Sequence, residues 1–199
     1  MKAVIANVSD NLLQERRRTG ADRWDEIWNG VLHMPPAPNR EHQRLEFQLE
    51  SWLYNHWAQP QGNEVYHQIN LASHGGWPNR DYRVPDLVLL TPDRSHIDHN
   101  EYFEGAPLVV IELRSPDDES YEKLKFYARL GVPEVWIIDR DTRAPELYAL
   151  AGSDYTEQTP DAAGLLRSAA TGITLQGLAT NQIALWLTDD ESTRGVIPE

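Results

Sequence analysis

The apolar residues of this chain follow two different spacings. Short segments rich in Val, Ile and Leu predict β-strands, which fall at residues 63–71, 84–91, 107–114, 135–139 and 146–150, with shorter candidates at 165–167, 173–175 and 183–187. Alternation in the two strands between 135 and 150 is imperfect, which is typical of strands covered on both faces. Two further stretches have the spacing of amphipathic helices.

Both predicted helices have recognisable ends. Asn39 is a suitable N-cap for the first, which continues to about Trp57. Its apolar stripe consists of Leu45, Leu49, Trp52 and Leu53. The second helix follows the entry signal at 115–118 and reaches about Leu130, where Gly131 favours a C-cap.

A β-hairpin is predicted near the N-terminus. Residues 24–28 and 31–34 flank Asn29-Gly30, a dipeptide that readily takes the positive φ angles of a type I′ turn. The proline-rich segment 35–38 then ends the second strand. Residues 1–23 are expected to form a short helical or loosely ordered lead-in.

The length of 199 residues suits one α/β domain, which would bury about 70% of the surface of the unfolded chain. We therefore expect an N-terminal lead-in over 1–23, a single domain over 24–190 and a C-terminal tail over 191–199. No apolar run approaches the length of a membrane span or of a signal peptide's apolar region. The expected location is the cytoplasm.

Composition restricts the chemistry. The chain has no cysteine, so any metal must be held by oxygen or imidazole ligands. The net charge of −13 argues against a broad basic surface for nucleic acid, because phosphate contacts dominate that affinity. Local basic groups remain at Arg16–Arg18 and around Lys123, and bound cations would offset acidic charge at a site.

Two acidic residues stand out because they lie in apolar, strand-like runs. These are Asp86, in Val84–Leu90, and Glu112, in Leu108–Arg114. A buried carboxylate costs several kcal/mol unless it is paired or bound to a metal, so two of them predict a site for a hard cation such as Mg²⁺. Without a metal the two charges should repel, and one of the carboxyl groups should have a raised pKa.

Other side chains are candidates for the same site. His42 and Glu46 lie one turn apart on the first helix, where both either face a site or serve as a hydrogen-bonded boundary residue and a surface charge. Strand alternation places Arg114 on the face of Glu112, but a guanidinium stays protonated and cannot act as a base. Lys123 can stabilise charge or accept a proton, and it lies one turn from Tyr127. The loop histidines His96 and His99 are interpreted as solvent-exposed.

At these residues the chain resembles the Uma-type restriction endonuclease family of the PD-(D/E)xK nuclease superfamily. The similarity is carried by Pro85-Asp86, the Glu112–Pro116 segment, Lys123 with Tyr127, and the Gly131–Asp139 segment. It extends from the Asn29-Gly30 hairpin to about Trp186.

The resemblance implies a restriction-endonuclease-like core, a mixed β-sheet flanked by helices. It also implies that Asp86 and Glu112 are catalytic metal ligands and that the catalytic lysine has migrated to Lys123. Arg114 is a departure, since it stands where the superfamily motif has lysine. An additional glutamate from the first helix is expected among Glu41, Glu46 and Glu50, of which we favour Glu46.

The sequence therefore predicts an endonuclease that requires Mg²⁺ or Mn²⁺ and hydrolyses phosphodiester bonds in DNA. Lys123 would position the water, with Tyr127 packing against or orienting it. A homodimer is expected because cutting both strands requires two sites. Two alternatives stay open, namely an inactive nuclease fold that binds a protein partner and a metal-dependent hydrolase of another phosphoester.

Overall fold

The computed structural model describes residues 3–6 and 8–198, which form three β-sheets and four α-helices. The helices are α1 (Asp10–Thr19), α2 (Arg40–Leu53), α3 (Gln59–Gln61) and α4 (Ser120–Leu130). A π-helical turn, Tyr54–Ala58, joins α2 to α3, and a 3-10 helix covers Pro92–Ile97. No helix in these ranges is long and apolar enough to cross a membrane.

The central sheet contains six strands and is covered on both faces. In spatial order they are β12 (Asp154–Glu157), β11 (Pro145–Ala151), β10 (Glu134–Asp139), β9 (Val109–Arg114), β7 (Leu87–Leu90) and β4 (Glu64–His67). The pair β9 and β10 is parallel and the remaining pairs are antiparallel. This mixed sheet between helices is the restriction-endonuclease-like arrangement that the sequence predicts.

Alternate residues of the central sheet enter two separate cores. Leu89 and Ile111 pack with α2 and the C-terminal sheet, whereas Val88 and Val110 pack with Phe126 of α4. Continuous apolar runs in β7 and β9 follow from this double burial. Glu112 shares the alternation of Val110, so its side chain points toward α4.

The N-terminal sheet carries the predicted hairpin. Its spatial order is β1 (Ala3–Ile5), β3 (Val31–Met34), β2 (Glu26–Trp28), β6 (Tyr82–Arg83), β5 (Asn70–Ala72) and β8 (Tyr102–Glu104). Asn29 and Gly30 have φ angles of 49° and 83°, as a type I′ turn requires. The guanidinium of Arg83 lies 4.2 Å from the rings of both Trp28 and Phe126, so it joins this sheet to α4.

The C-terminal sheet is an antiparallel meander. It consists of β13 (Leu166–Arg167), β14 (Ile173–Leu178), β15 (Gln182–Leu187) and β16 (Asp190–Ile197). The segment 191–199, expected as a tail, thus lies largely in a strand that pairs with β15, while Glu199 is outside the described residues. Likewise, the expected lead-in 1–23 contains β1 and α1, with Met1, Lys2 and Asn7 outside the described residues.

Two predicted strands are shorter than expected. The segment 63–71 divides at Gln68, which has a φ angle of 50°, so β4 joins the central sheet and β5 joins the N-terminal sheet. The segment 84–91 is a strand only from Leu87, because Pro85 has no N–H to donate to a ladder. Asp86 therefore lies just before β7 and not inside it.

Candidate active site

Asp86 lies just before β7 and is held from two directions. Its Oδ1 is 2.8 Å from Nε2 of His42 on α2. Its Oδ2 accepts a 2.6 Å hydrogen bond from the backbone N–H of Leu113 in β9. The ladder between β7 and β9 ends at the pair Leu87 and Ile111. Beyond this pair, the Asp86 carboxylate takes the place of a main-chain acceptor for the Leu113 N–H.

His42 and Glu46 both face this carboxylate. The side chain of Asn39 accepts the His42 N–H at 3.0 Å, which confirms the predicted N-cap and fixes the first turn of α2. Nε2 of His42 is 3.9 Å from a Glu46 oxygen, and Gln68 donates to the Glu46 carboxylate at 3.1 Å. One ligating atom from each of His42, Glu46 and Asp86 lies within 4.8 Å of the others.

The electrostatics of this group fit a bound cation. Burial and the nearby Asp86 charge raise the pKa of Glu46 to about 7. Burial alone would lower the pKa of His42, but its hydrogen bond to Asp86 gives a net rise. One buried carboxylate, one half-buried carboxylate and one imidazole are a ligand set that divalent cations accept, with Mn²⁺ more tolerant of nitrogen than Mg²⁺. A cation would relieve the repulsion between the carboxylates.

Glu112 is 3% exposed and makes contacts different from those of Asp86. Its Oε2 is 3.0 Å from Nζ of Lys123, and its Oε1 accepts a hydrogen bond from the Tyr127 hydroxyl. Burial, with the Asp86 and Glu26 charges nearby, raises the pKa of Glu112. The expectation that one acid of the pair has a raised pKa is therefore met at Glu112.

Lys123 lies on the inner face of α4 with its side chain 12% exposed. Burial would lower its pKa, but the carboxylates of Glu112 and Glu26 together raise it above its usual range. The ammonium therefore stays charged at neutral pH. Tyr127 donates to Glu112, so this carboxylate contacts both Tyr127 and Lys123.

Glu26 is a site residue that sequence reasoning missed. It is 3% exposed, and one of its oxygens lies 2.9 Å from Nζ of Lys123. The signal that identified Asp86 and Glu112, an acid inside an apolar strand, is weaker at Glu26, because its neighbour Asp25 is also acidic and only the surrounding Trp24, Ile27 and Trp28 are apolar.

Arg114 is not brought to the site. Its guanidinium pairs with Asp139, its direct neighbour in the parallel ladder, and lies 5.6 Å from the ring of Tyr121. Arg140, which the sequence did not indicate, lines the cavity and donates to Ser115 Oγ at 3.2 Å. The loop residues His96 and His99 do not line this cavity.

A cavity of about 630 Å³ opens over these side chains. His42, Lys123 and Arg140 line it together with six acidic residues, Glu26, Asp86, Glu112, Asp117, Asp118 and Glu119. Glu46 lines a neighbouring cavity of about 390 Å³ that shares Trp24, Pro38 and Gln68 with the first. The acidic lining suits a cation-dependent site better than a simple phosphate pocket.

The mixed central sheet, with acids at the adjoining ends of β7 and β9 and a lysine on α4, defines a restriction-endonuclease-like fold. A solved structure described as "a putative nuclease belonging to DUF820", from Anabaena variabilis ATCC 29413, superposes with a TM-score of 0.57 at 19% identity. The match covers 73% of this chain and 82% of that chain.

The sequence itself assigns the family. The Uma2 model, described as "Putative restriction endonuclease", matches residues 13–181, so the chain belongs to the Uma2 family. This confirms the resemblance noted at Asp86, Glu112 and the Gly131–Asp139 segment. No curated protein has significant sequence similarity to the chain.

Proposed function

We propose that this protein is an endonuclease that uses Mg²⁺ or Mn²⁺ to hydrolyse phosphodiester bonds in DNA. The observation that carries the proposal is the convergence of Asp86, Glu112 and Lys123 on one cavity, in a chain of the Uma2 family. Asp86 would hold the metal together with Glu112 of β9, and His42 and Glu46, whose ligating atoms cluster with that of Asp86 on the α2 side, would be further ligands.

The residues of the chain have separate tasks in this proposal. A bound divalent cation would make a water molecule more acidic and stabilise charge on the phosphate oxygens. Lys123, which stays protonated, donates a hydrogen bond that orients the attacking water and stabilises negative charge as it develops. Tyr127 keeps Glu112 in place, and Arg140 at the cavity wall supplies a second positive charge for a phosphate.

Cleavage assays test the proposal directly. Purified protein is incubated with supercoiled plasmid, single-stranded DNA and RNA, with Mg²⁺, Mn²⁺ or EDTA. We expect metal-dependent DNA cleavage that Glu112→Gln abolishes. Glu157→Gln, the same chemical change on an exposed residue of β12, should cleave like the wild type. Cleavage that persists in EDTA, or in Glu112→Gln, would contradict the assignment.

The acidic lining of the cavity favours one second candidate, a metal-dependent hydrolase of a small phosphoester. Among the described residues that line the cavity, only Lys123, Arg140 and a protonated His42 offset the six acids. A small substrate needs no basic groove along a nucleic-acid backbone. Hydrolysis of a chromogenic phosphodiester, with no cleavage of DNA or RNA, would favour this second candidate.

A further inference from the structure

Glu26 and Lys123 come from separate parts of the fold and meet in a buried contact. Glu26 is on β2 of the N-terminal sheet, and Lys123 is on α4, which packs on the central sheet. The Lys123 ammonium lies 2.9 Å from Glu26 and 3.0 Å from Glu112, with the carboxylates of both acids 4% exposed. The lysine therefore has two equivalent anionic partners.

The Glu26 carboxylate is fixed independently of the lysine. Its Oε1 accepts the backbone N–H of Val84 at 2.9 Å, and its Oε2 accepts the Trp28 indole N–H at 2.7 Å. These two donors hold the carboxylate rigidly, so it defines where the lysine ammonium rests. Val84 also precedes Asp86 by two residues, so the same carboxylate anchors the backbone that presents Asp86.

We propose that Glu26 is the positioning residue for Lys123, and this inference rests on the nuclease function proposed above. Lysine has four rotatable bonds, and a single partner leaves the ammonium free to move around it. If Glu112 binds a metal, its oxygens are shared with the cation and its hold on Lys123 weakens. Glu26, whose carboxylate is held by Val84 and Trp28, then keeps the ammonium neutralised and in place.

Kinetics separate positioning from a merely structural role. Glu26→Gln should lower kcat about 100-fold, the typical cost of a catalytic group misplaced by an ångström. The KM for DNA and the affinity for Mn²⁺ should change less than twofold, since Glu26 binds neither and the glutamine oxygen still accepts from the Val84 amide that anchors the backbone before Asp86. Glu157→Gln is the matched control, and thermal melting shows whether each variant is folded.

A double-mutant cycle gives the second readout. If Glu26 acts through Lys123, Glu26→Gln combined with Lys123→Met should cleave no more slowly than Lys123→Met alone. Additive losses would overturn the proposal, as would wild-type kcat in Glu26→Gln. Should Glu26→Gln fail to fold, Glu26→Asp keeps the charge but withdraws it by one methylene. Its kcat should fall at least tenfold, again with no further loss in the Lys123→Met background.

A readout without catalysis keeps the inference separate from the proposed function. Acylation of lysines by an amine-selective reagent, followed by mass spectrometry, compares Lys123 with the exposed Lys125 of the same helix. We expect Lys123 to react at least tenfold faster in Glu26→Gln than in the wild type, relative to Lys125. An unchanged ratio would overturn the inference, whereas absence of wild-type cleavage would overturn only the nuclease proposal.

Discussion

Removal of the Glu46 charge should stabilise the metal-free protein in a pH-dependent way. The groups that face this carboxylate are Asp86, His42, Glu50, His67 and Gln68. Burial and Asp86 raise its pKa from 4.5 to about 7 in the folded state. An acid with a raised folded-state pKa costs nothing below pH 4.5 and costs stability increasingly as the pH rises to about 7.

The size of the effect follows from the two pKa values. Each pH unit between them is worth about 1.4 kcal/mol, so the interval of 4.5 to 7 gives a penalty of about 3 kcal/mol at pH 8. Glu46→Gln keeps an oxygen that accepts from Gln68 but cannot ionise. In a chain of this size it should raise the melting temperature by about 6 to 12 °C at pH 8.

Thermal melts in EDTA from pH 4.5 to pH 8 measure this difference, with Glu157→Gln as the control. The advantage of Glu46→Gln should shrink toward zero at the acidic end. Adding Mn²⁺ at pH 8 should stabilise the wild type, by about 2.7 kcal/mol at 100 times Kd, and the variant much less. If Glu46→Gln is destabilised at pH 8, or if its advantage does not depend on pH, the electrostatic account of the site is wrong.

Three further outcomes are expected. Lys123→Met should lower the cleavage rate about 100-fold or more because a transition-state charge contact is lost. Arg114→Leu should lower the rate much less, because Arg114 pairs with Asp139. The reverse result in a plasmid assay would disprove the migrated-lysine assignment. Arg140→Gln should raise the KM for DNA with little change in kcat, because it removes a phosphate contact from the cavity wall. An unchanged KM in steady-state kinetics would exclude a phosphate-binding role for Arg140. Light scattering should give about twice the chain mass of 22.8 kDa if two sites act on a duplex, and a monomer would favour nicking.

Several elements of the fold were predictable because their signals are local. Apolar runs gave β7, β9 and β10, Gly131 ended α4 as expected, and Asn29-Gly30 formed the hairpin turn. The division at Gln68 was not predictable, since no proline or glycine marks it and only the pairing of each half with a different sheet reveals it.

The site was predictable to the extent that burial of charge is visible in sequence. Asp86 and Glu112 stood out because each interrupts an apolar strand-like run, and His42 with Glu46 followed from helical spacing. The sequence did not predict which acid pairs with which base, because these pairs depend on how separate helices and strands pack together. Strand alternation placed Arg114 on the same face as Glu112, but its guanidinium forms an ion pair with Asp139, its neighbour on the parallel strand β10.

The hydrogen bond from the Leu113 amide to Asp86 gives the site its own spectroscopic reporter. The Leu113 N–H donates its hydrogen bond to the Asp86 carboxylate. The chemical shift of this amide proton therefore depends on the charge of that carboxylate. A cation on Asp86 would withdraw electron density from the acceptor and shift the Leu113 resonance, while amides paired within β9 and β10 stay unchanged. Titration of a ¹⁵N-labelled sample with Mg²⁺ would thus show occupancy at Asp86 residue by residue, with no substrate present.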